Sequence, residues 1–237
     1  MIKRISGDEE LTGLPLTGII PQRIRALCTA YGYERSFCRA YAQDADKTFI
    51  TFLDNEAVVW ATEGTDFCEL ADFLQMNGFS SVLGDNDVAK GIMRELSVAC
   101  DEMSVMRFEG APQPCEADYD PYLCDVADIV NKSFGIDRDA FYLDMSHRIR
   151  HGVSRAVLLE HSALVIQHCA NGEALLSAVA TDPDYRGRGN ASRLILGVCA
   201  YLAPNKVNLL CEPKLEGFYE HLGFVKESAL YGLRPNR

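Results

Sequence analysis

The strongest chemical signal in this sequence is a pair of glycines separated by a single residue. The pair lies between an apolar run and an amphipathic segment. Apolar residues after the glycines recur at i, i+3, i+4, i+7, i+8 and i+11, which predicts one face of a helix. A glycine-rich turn before a helix leaves backbone N–H groups free to bind phosphate, and nearby arginines suit a diphosphate. The residues that this pattern places at such a ligand are Arg186, Gly187, Arg188, Gly189, Asn190, Ala191 and Ser192.

Two common phosphate loops fit this segment poorly. A P-loop requires Gly-Lys-Ser/Thr, and that tripeptide does not follow the apolar run. The dinucleotide fingerprint G-x-G-x-x-G requires a third glycine, and Ser192 stands at that position. The match to the dinucleotide fingerprint is therefore only partial.

A third pattern fits fully and occurs together with a second motif. Residues 186–191 match R/Q-x-x-G-x-G/A, and this hexamer resembles the acyl-CoA pyrophosphate loop of the GNAT superfamily of N-acyltransferases. Downstream, Phe218-Tyr219-Glu220-His221-Leu222-Gly223-Phe224 resembles the F/L-Y-x-x-L-G-F signature that closes GNAT domains. The resemblance covers residues from about 101 to the C-terminus. It implies the GNAT fold, of the α+β or α/β class, with a mixed, mostly antiparallel sheet flanked by helices.

The resemblance also implies a reaction. Acetyl-CoA would be the acyl donor, a small-molecule or peptide amine would attack it directly, and no metal would be needed. Tyr219 would act as general acid toward the leaving thiolate. The strand backbone at Val179, Ala180 and Thr181 would hold the pantetheine arm and the oxyanion, and the N–H groups from Gly187 to Ser192 would hold the pyrophosphate.

The sequence leaves several candidates for the base that accepts the amine proton. Glu173 opens the strand that leads to the loop, thirteen positions before Arg186, and this offset is similar to that of the strand glutamate in some GNAT proteins. Glu173 also directly follows Asn171-Gly172, where it would be an exposed hairpin residue. Glu160 and His168 are fallback candidates, and ordered water is a further one.

One position departs from the family pattern. Many GNAT proteins carry an Asn seven residues before the tyrosine, where it contacts CoA, and this chain has Glu212 there. A carboxylate would not replace that amide well. The alternative function is therefore a non-catalytic CoA-binding or protein-interaction module on a GNAT fold.

Composition limits the partners. The net charge of -11 disfavours nucleic acid as a partner. The nine cysteines include no C-x-x-C pair, which disfavours zinc and a disulfide framework. No stretch reaches the ~18 apolar residues of a membrane span, so we expect a cytoplasmic protein, with a homodimer as a candidate assembly.

The chain is long enough for two domains, which we place at 1–100 and 101–237. The first hundred residues predict an α+β domain with an antiparallel meander. The segment from Asp72 to Phe79 echoes the ending from Tyr219 to Phe224, but no R-x-x-G-x-G loop occurs there. This first domain is either a degenerate GNAT-like half or an unrelated α+β domain.

Overall fold

The structure is a computed structural model that describes residues 1–44 and 48–236; residues 45–47 and the last residue of the second predicted domain, 237, lie outside the described chain. In chain order its elements are β1 (Ile2–Arg4), α1 (Ile19–Tyr31), β2 (Cys38–Gln43), β3 (Thr48–Leu53), β4 (Glu56–Ala61), α2 (Phe67–Asn77), β5 (Ser81–Gly84), α3 (Asn86–Glu95), β6 (Val98–Phe108), α4 (Leu123–Phe134), α5 (Arg138–Arg150), β7 (Arg155–Leu159), β8 (Ser162–Ala170), β9 (Glu173–Thr181), α6 (Asn190–Leu202), β10 (Lys206–Cys211), α7 (Glu216–His221) and β11 (Phe224–Pro235). Helices and a mixed sheet make this an α+β protein, as the sequence predicts.

The chain divides into two compact units. Unit 1 contains residues 1–104 together with the residues from Ser228 onward, and unit 2 contains Val105–Glu227. The division after residue 104 lies four residues beyond the sequence-based division after residue 100. The sequence places the C-terminal residues in the second domain, whereas here they belong to unit 1, because β11 pairs antiparallel with β5.

Unit 1 contains the predicted meander. Strands β2, β3 and β4 pair antiparallel in sequence order, with Tyr41 opposite Ile50 and Ile50 opposite Val59. Strand β5 then pairs parallel with β4, after the chain has passed through α2. The core of this unit is formed by apolar residues of the strands and of α2 and α3, including Ile50, Phe52, Val59, Leu70, Leu74, Val88 and Ile92.

Unit 2 repeats this topology. Strands β7, β8 and β9 pair antiparallel, and β10 then pairs parallel with β9 after the chain has passed through α6. In both units three antiparallel strands are followed by a helix, a parallel strand and a second helix. The echo between the two halves of the sequence therefore has a counterpart in their strand order.

Helix α6 is the element that the apolar periodicity predicts, and it supplies much of the unit 2 core. Leu194, Ile195 and Val198 are fully buried against β8, β9 and β10, and Cys199 and Leu202 are nearly so. Truncating one such leucine to alanine typically costs about 2–5 kcal/mol of unfolding free energy. This packing fixes the start of the helix, and so the loop before it, at the end of β9.

Candidate active site

The loop before α6 has the conformation that its two glycines allow. Gly187 and Gly189 both have a φ of 77°, a region that other residues rarely adopt. No atom lies within 4 Å of a Cβ built on either glycine, so the space above them is open. Gly189 is the N-cap residue of α6, and no side chain caps the helix there. The first N–H groups of α6 therefore face an open space with the positive end of the helix dipole.

Contacts from other elements hold both ends of this loop. The Ser133 hydroxyl at the end of α4 donates to the Thr181 carbonyl at 3.0 Å. At the start of α6, the Asn190 amide donates to Glu160 at 2.8 Å. Arg193, one turn further on, donates to the same carboxylate at 3.1 Å. The helix start and the strand end are thus fixed independently of any ligand.

Asp182 connects the strand to the loop and is itself held by an ion pair. Its buried carboxylate accepts from Lys132 Nζ at 2.7 Å and from the Asp184 N–H at 3.2 Å. The hydrogen bond from Lys132 is the main cause that holds the pKa of Asp182 below its usual range. Because the pKa is lower in the folded than in the unfolded state, the ionised carboxylate stabilises the fold above pH ~4 and loses this contribution on acidification.

We expect Lys132→Met to lower the melting temperature near pH 7, because it removes this ion pair. The difference from wild type should shrink as the pH falls from about 5 to about 2, where the carboxylate becomes protonated in both proteins. Thermal unfolding followed by circular dichroism at several pH values measures this. A difference that is constant with pH would contradict the assignment to the Asp182 charge.

The two arginines of the loop are positioned differently. Arg186 Nε donates back to the Thr181 carbonyl at 3.2 Å. The Arg188 guanidinium lies over the Tyr185 ring, 4.8 Å from its centroid, and Tyr185 stacks in turn on His161 at 3.4 Å. Both arginines are exposed, so both can reach an anion on the loop.

Strands β9 and β10 separate where β9 approaches the open space above the loop glycines. Their pairing runs from Glu173 opposite Lys206 to Leu176 opposite Leu209 and ends there. A register irregularity against β8 follows, and Ala178 has a φ of 49°. The part of β9 that contains Val179, Ala180 and Thr181 therefore has no β10 partner among the described residues. Its backbone is available to an extended ligand.

Tyr219 on α7 is buried among aromatic rings. Its ring makes edge contacts with Phe218 at 5.0 Å and with Phe224 at 5.7 Å. Burial raises the pKa of Tyr219 to about 12, so its hydroxyl keeps its proton at neutral pH. Within the described part of the chain no group hydrogen-bonds this hydroxyl. A buried phenol without such a partner suits a proton donor to a ligand.

These features meet in one cavity of about 510 Å³. The cavity brings together all ten loop and strand residues that the sequence assigns to the acyl-CoA, and it includes Tyr219. Sequence reasoning did not assign five further lining residues to the site, which are Ser133, Phe134, Tyr185, Leu215 and Phe218. Only Phe218 carried a signal, because it belongs to the closing motif. Among the described residues that line the cavity none carries a carboxylate or an imidazole.

Glu173 is not brought to this cavity. It lies at the opposite end of β9, six residues before Val179, which is about 20 Å at ~3.3 Å per residue. Its carboxylate lies 3.6 Å from Lys206 Nζ. The two fallback candidates are also placed elsewhere, since Glu160 binds Asn190 and Arg193, and His168 is buried in β8.

Glu212 takes no part in lining the cavity. Its exposed carboxylate forms an ion pair with Lys214 at 2.5 Å. In the described part of the chain no cluster of three or more metal-ligating side chains occurs, and no helix there is long and apolar enough to cross a membrane. All nine cysteines are free thiols.

Comparison with known proteins agrees with this architecture. Residues 151–226 match the family model described as an acetyltransferase (GNAT) domain. No curated protein matches the chain.

Solved structures with this fold cover almost the whole chain. A tandem GNAT protein from the clavulanic acid biosynthesis pathway has a TM-score of 0.65 at 9% identity and covers 100% of this chain and 99% of its own. A GCN5-related N-acetyltransferase from Kribbella flavida has a TM-score of 0.63 at 12% identity, over 92% and 94% of the two chains. A Drosophila protein has a TM-score of 0.67 at 10% identity, over 99% and 98%. Residues 151–226 of this chain therefore match a GNAT acetyltransferase domain, and the chain as a whole has the GNAT fold.

Proposed function

We propose that this protein transfers the acetyl group of acetyl-CoA to a primary amine, by direct attack of the amine on the thioester. The acceptor is a small molecule or a peptide, and the reaction takes place in the cytoplasm. The observation that carries the proposal is one cavity lined by the open loop glycines, the unpaired end of β9 and Tyr219.

Binding of the donor is supported by the loop and by β9. The N–H groups from Gly187 to Ser192 would donate hydrogen bonds to the diphosphate oxygens, with Arg186 and Arg188 adding charge. The pantetheine arm contains amides, so it would hydrogen-bond the backbone of Val179 and Thr181 in place of a β10 partner. The residues present therefore fit acetyl-CoA.

Proton transfer to the leaving group is assigned to Tyr219. The CoA thiolate forms as the carbon–sulfur bond breaks, and protonation by a positioned phenol favours its departure. The pKa of Tyr219, raised to about 12 by burial, keeps the phenol protonated throughout the physiological range. No cysteine nucleophile is required, because the amine attacks the bound thioester directly.

Removal of the amine proton is assigned to ordered water. An alkyl ammonium has a pKa near ~10.4 and must lose a proton before it can attack. The described residues that line the cavity include no carboxylate or imidazole, and Glu173 lies about 20 Å from Val179 along β9. Water is therefore the base that this proposal uses.

A non-catalytic CoA-binding module is the second candidate. It is favoured by the lack of a side-chain base among the residues lining the cavity and by Glu212 at the position of the usual asparagine. Both candidates require CoA binding, so only turnover with an amine separates them.

Calorimetric titration of acetyl-CoA and desulfo-CoA, followed by release of free thiol across a panel of primary amines, tests the proposal. We expect micromolar binding and turnover with at least one amine. Glu173→Gln should change kcat by less than about threefold, because a base would contribute about 100-fold or more. Binding without turnover would favour the second candidate, and a large loss in Glu173→Gln would overturn water as the base.

A further inference from the structure

A second cavity, of about 860 Å³, lies in unit 2 at the far end of α6. It shares no lining residue with the acetyl-CoA cavity. Helix α6 begins at the phosphate loop and ends at Leu202, which lines the second cavity, so about 18 Å of helix separates the two. A volume of this size suits a small ligand.

The floor of this cavity is part of an open sheet edge. Strand β7 is the last strand of the sheet in unit 2, and its outer edge is covered at Leu158. There the N–H and C=O groups of Leu158 both bond to Asp118, at 2.9 and 2.8 Å. In an antiparallel pair the outward-facing residues alternate, so Ala156, two positions away, also turns its N–H and C=O outward. Among the described residues none hydrogen-bonds these two groups, and Ala156 lines the cavity.

The chain leaves the edge after Asp118 and so creates this opening. The Asp118 carboxylate accepts from the Asp120 N–H at 2.9 Å, which turns the chain away from β7. The position opposite Ala156 is therefore left without a strand. The open stretch is one residue long, too short for sheet pairing between two copies of the protein, and it suits a single residue of an added strand.

Side-chain walls flank the opening on both faces of the sheet. On one face, Tyr119 and Tyr201 stack at 4.1 Å, and Arg155 lies over Tyr201 and bonds its hydroxyl. On the other face, Ile149 and Tyr142 of α5 line the cavity. An added strand would place successive side chains alternately against these two walls.

Charge is distributed unequally along this opening. Arg155 precedes Ala156, and Arg150 at the end of α5 lines the same cavity, held by two bonds to Ser146. Asp118 lies opposite Leu158, at the other end of the opening. An antiparallel peptide would direct its carboxylate to the arginines and its ammonium group to Asp118. A parallel peptide would place each terminus beside a like charge.

We propose that this cavity binds a tripeptide with free termini, as a short antiparallel strand on Ala156. The N–H and C=O of the central ligand residue pair with the C=O and N–H of Ala156, Arg155 and Arg150 bind the ligand carboxylate, and Asp118 binds its ammonium group. This site is separate from the proposed acetyl transfer and does not depend on it.

Calorimetry with the tripeptide Ala-Leu-Ala, its N-acetyl form and its C-terminal amide tests the proposal. We expect binding of the free tripeptide with a Kd below about 1 mM, and weakening by about tenfold or more when either terminus is blocked. Arg155→Gln should reproduce the loss seen with the C-terminal amide. Arg94→Gln, on α3 of unit 1, is the matched control and should bind normally.

Two-dimensional amide NMR locates the ligand independently of the variants. Saturable shifts of the Ala156 amide, with no change at residues 186–192, are expected. The proposal is overturned if no tripeptide form binds, if Arg155→Gln and blocked termini leave the Kd unchanged, or if the shifts map to the phosphate loop. Acetyl-CoA binding should be the same in Arg155→Gln and wild type, so failure at this cavity is distinguishable from failure of the proposed function.

Discussion

Gly189→Trp is expected to weaken acetyl-CoA binding by about 100-fold or more, which corresponds to about 2.7 kcal/mol of binding free energy. The reason is steric, because the space above Gly189 is open and the indole would fill the place of the diphosphate. The N–H groups at the start of α6 would then be out of reach of the ligand. Calorimetric titration of acetyl-CoA into the variant measures the effect.

Gly78→Trp is the matched control for this variant. Gly78 ends α2 in unit 1 with a φ of 68°, and no atom lies within 4 Å of a Cβ built there. Both substitutions impose the same kind of backbone strain, about 1–2 kcal/mol, but only Gly189 lies in the cavity. Normal acetyl-CoA affinity in Gly189→Trp would show that the diphosphate does not lie on this loop.

Tyr219→Phe is expected to lower kcat by about 100-fold while the affinity for acetyl-CoA stays nearly unchanged. The substitution removes only the hydroxyl, so the contacts of the ring with Phe218 and Phe224 remain. Unfolding stability should be nearly equal to wild type, because no described group hydrogen-bonds this hydroxyl and the substitution breaks no bond within the described residues. Steady-state kinetics with a responsive amine and a thermal melt together measure both effects.

The pH profile provides a second readout for Tyr219. Its pKa of about 12 predicts that kcat does not fall through loss of the phenol proton anywhere between pH 6 and pH ~10. Tyr41→Phe in unit 1 is the control, since Tyr41 packs on Phe73 far from the cavity in sequence and in a different unit. Full kcat in Tyr219→Phe would leave this tyrosine with a packing role only.

Sequence alone predicts the features of this chain that depend on local geometry. The period of apolar residues predicts α6, and the two glycines predict a turn before it. The strand from Glu173 to Thr181 has the predicted limits. Each of these features depends on residues that are close in sequence, within one or two helical turns or strand positions of each other. At such short separations the local sequence determines the backbone geometry.

Features that depend on distant parts of the chain could not be predicted in this way. Ser133 and Lys132 reach the loop across about fifty residues of sequence. No local pattern in α4 signals these contacts. Glu173 illustrates the opposite problem. Its offset of thirteen residues from Arg186 fits the family pattern, but the extended strand between them places Glu173 far from the loop.

The membership of the C-terminal residues in unit 1 has a consequence for the order in which the protein is made. Residues 231–233 supply the antiparallel partner of β5, and they follow the whole of unit 2 in the chain. During translation the strands of unit 1 emerge first, yet the edge of β5 stays open while the whole of unit 2 is produced. Exposed strand edges pair readily with other chains. The nascent protein must therefore protect this edge from other chains while unit 2 is being synthesised.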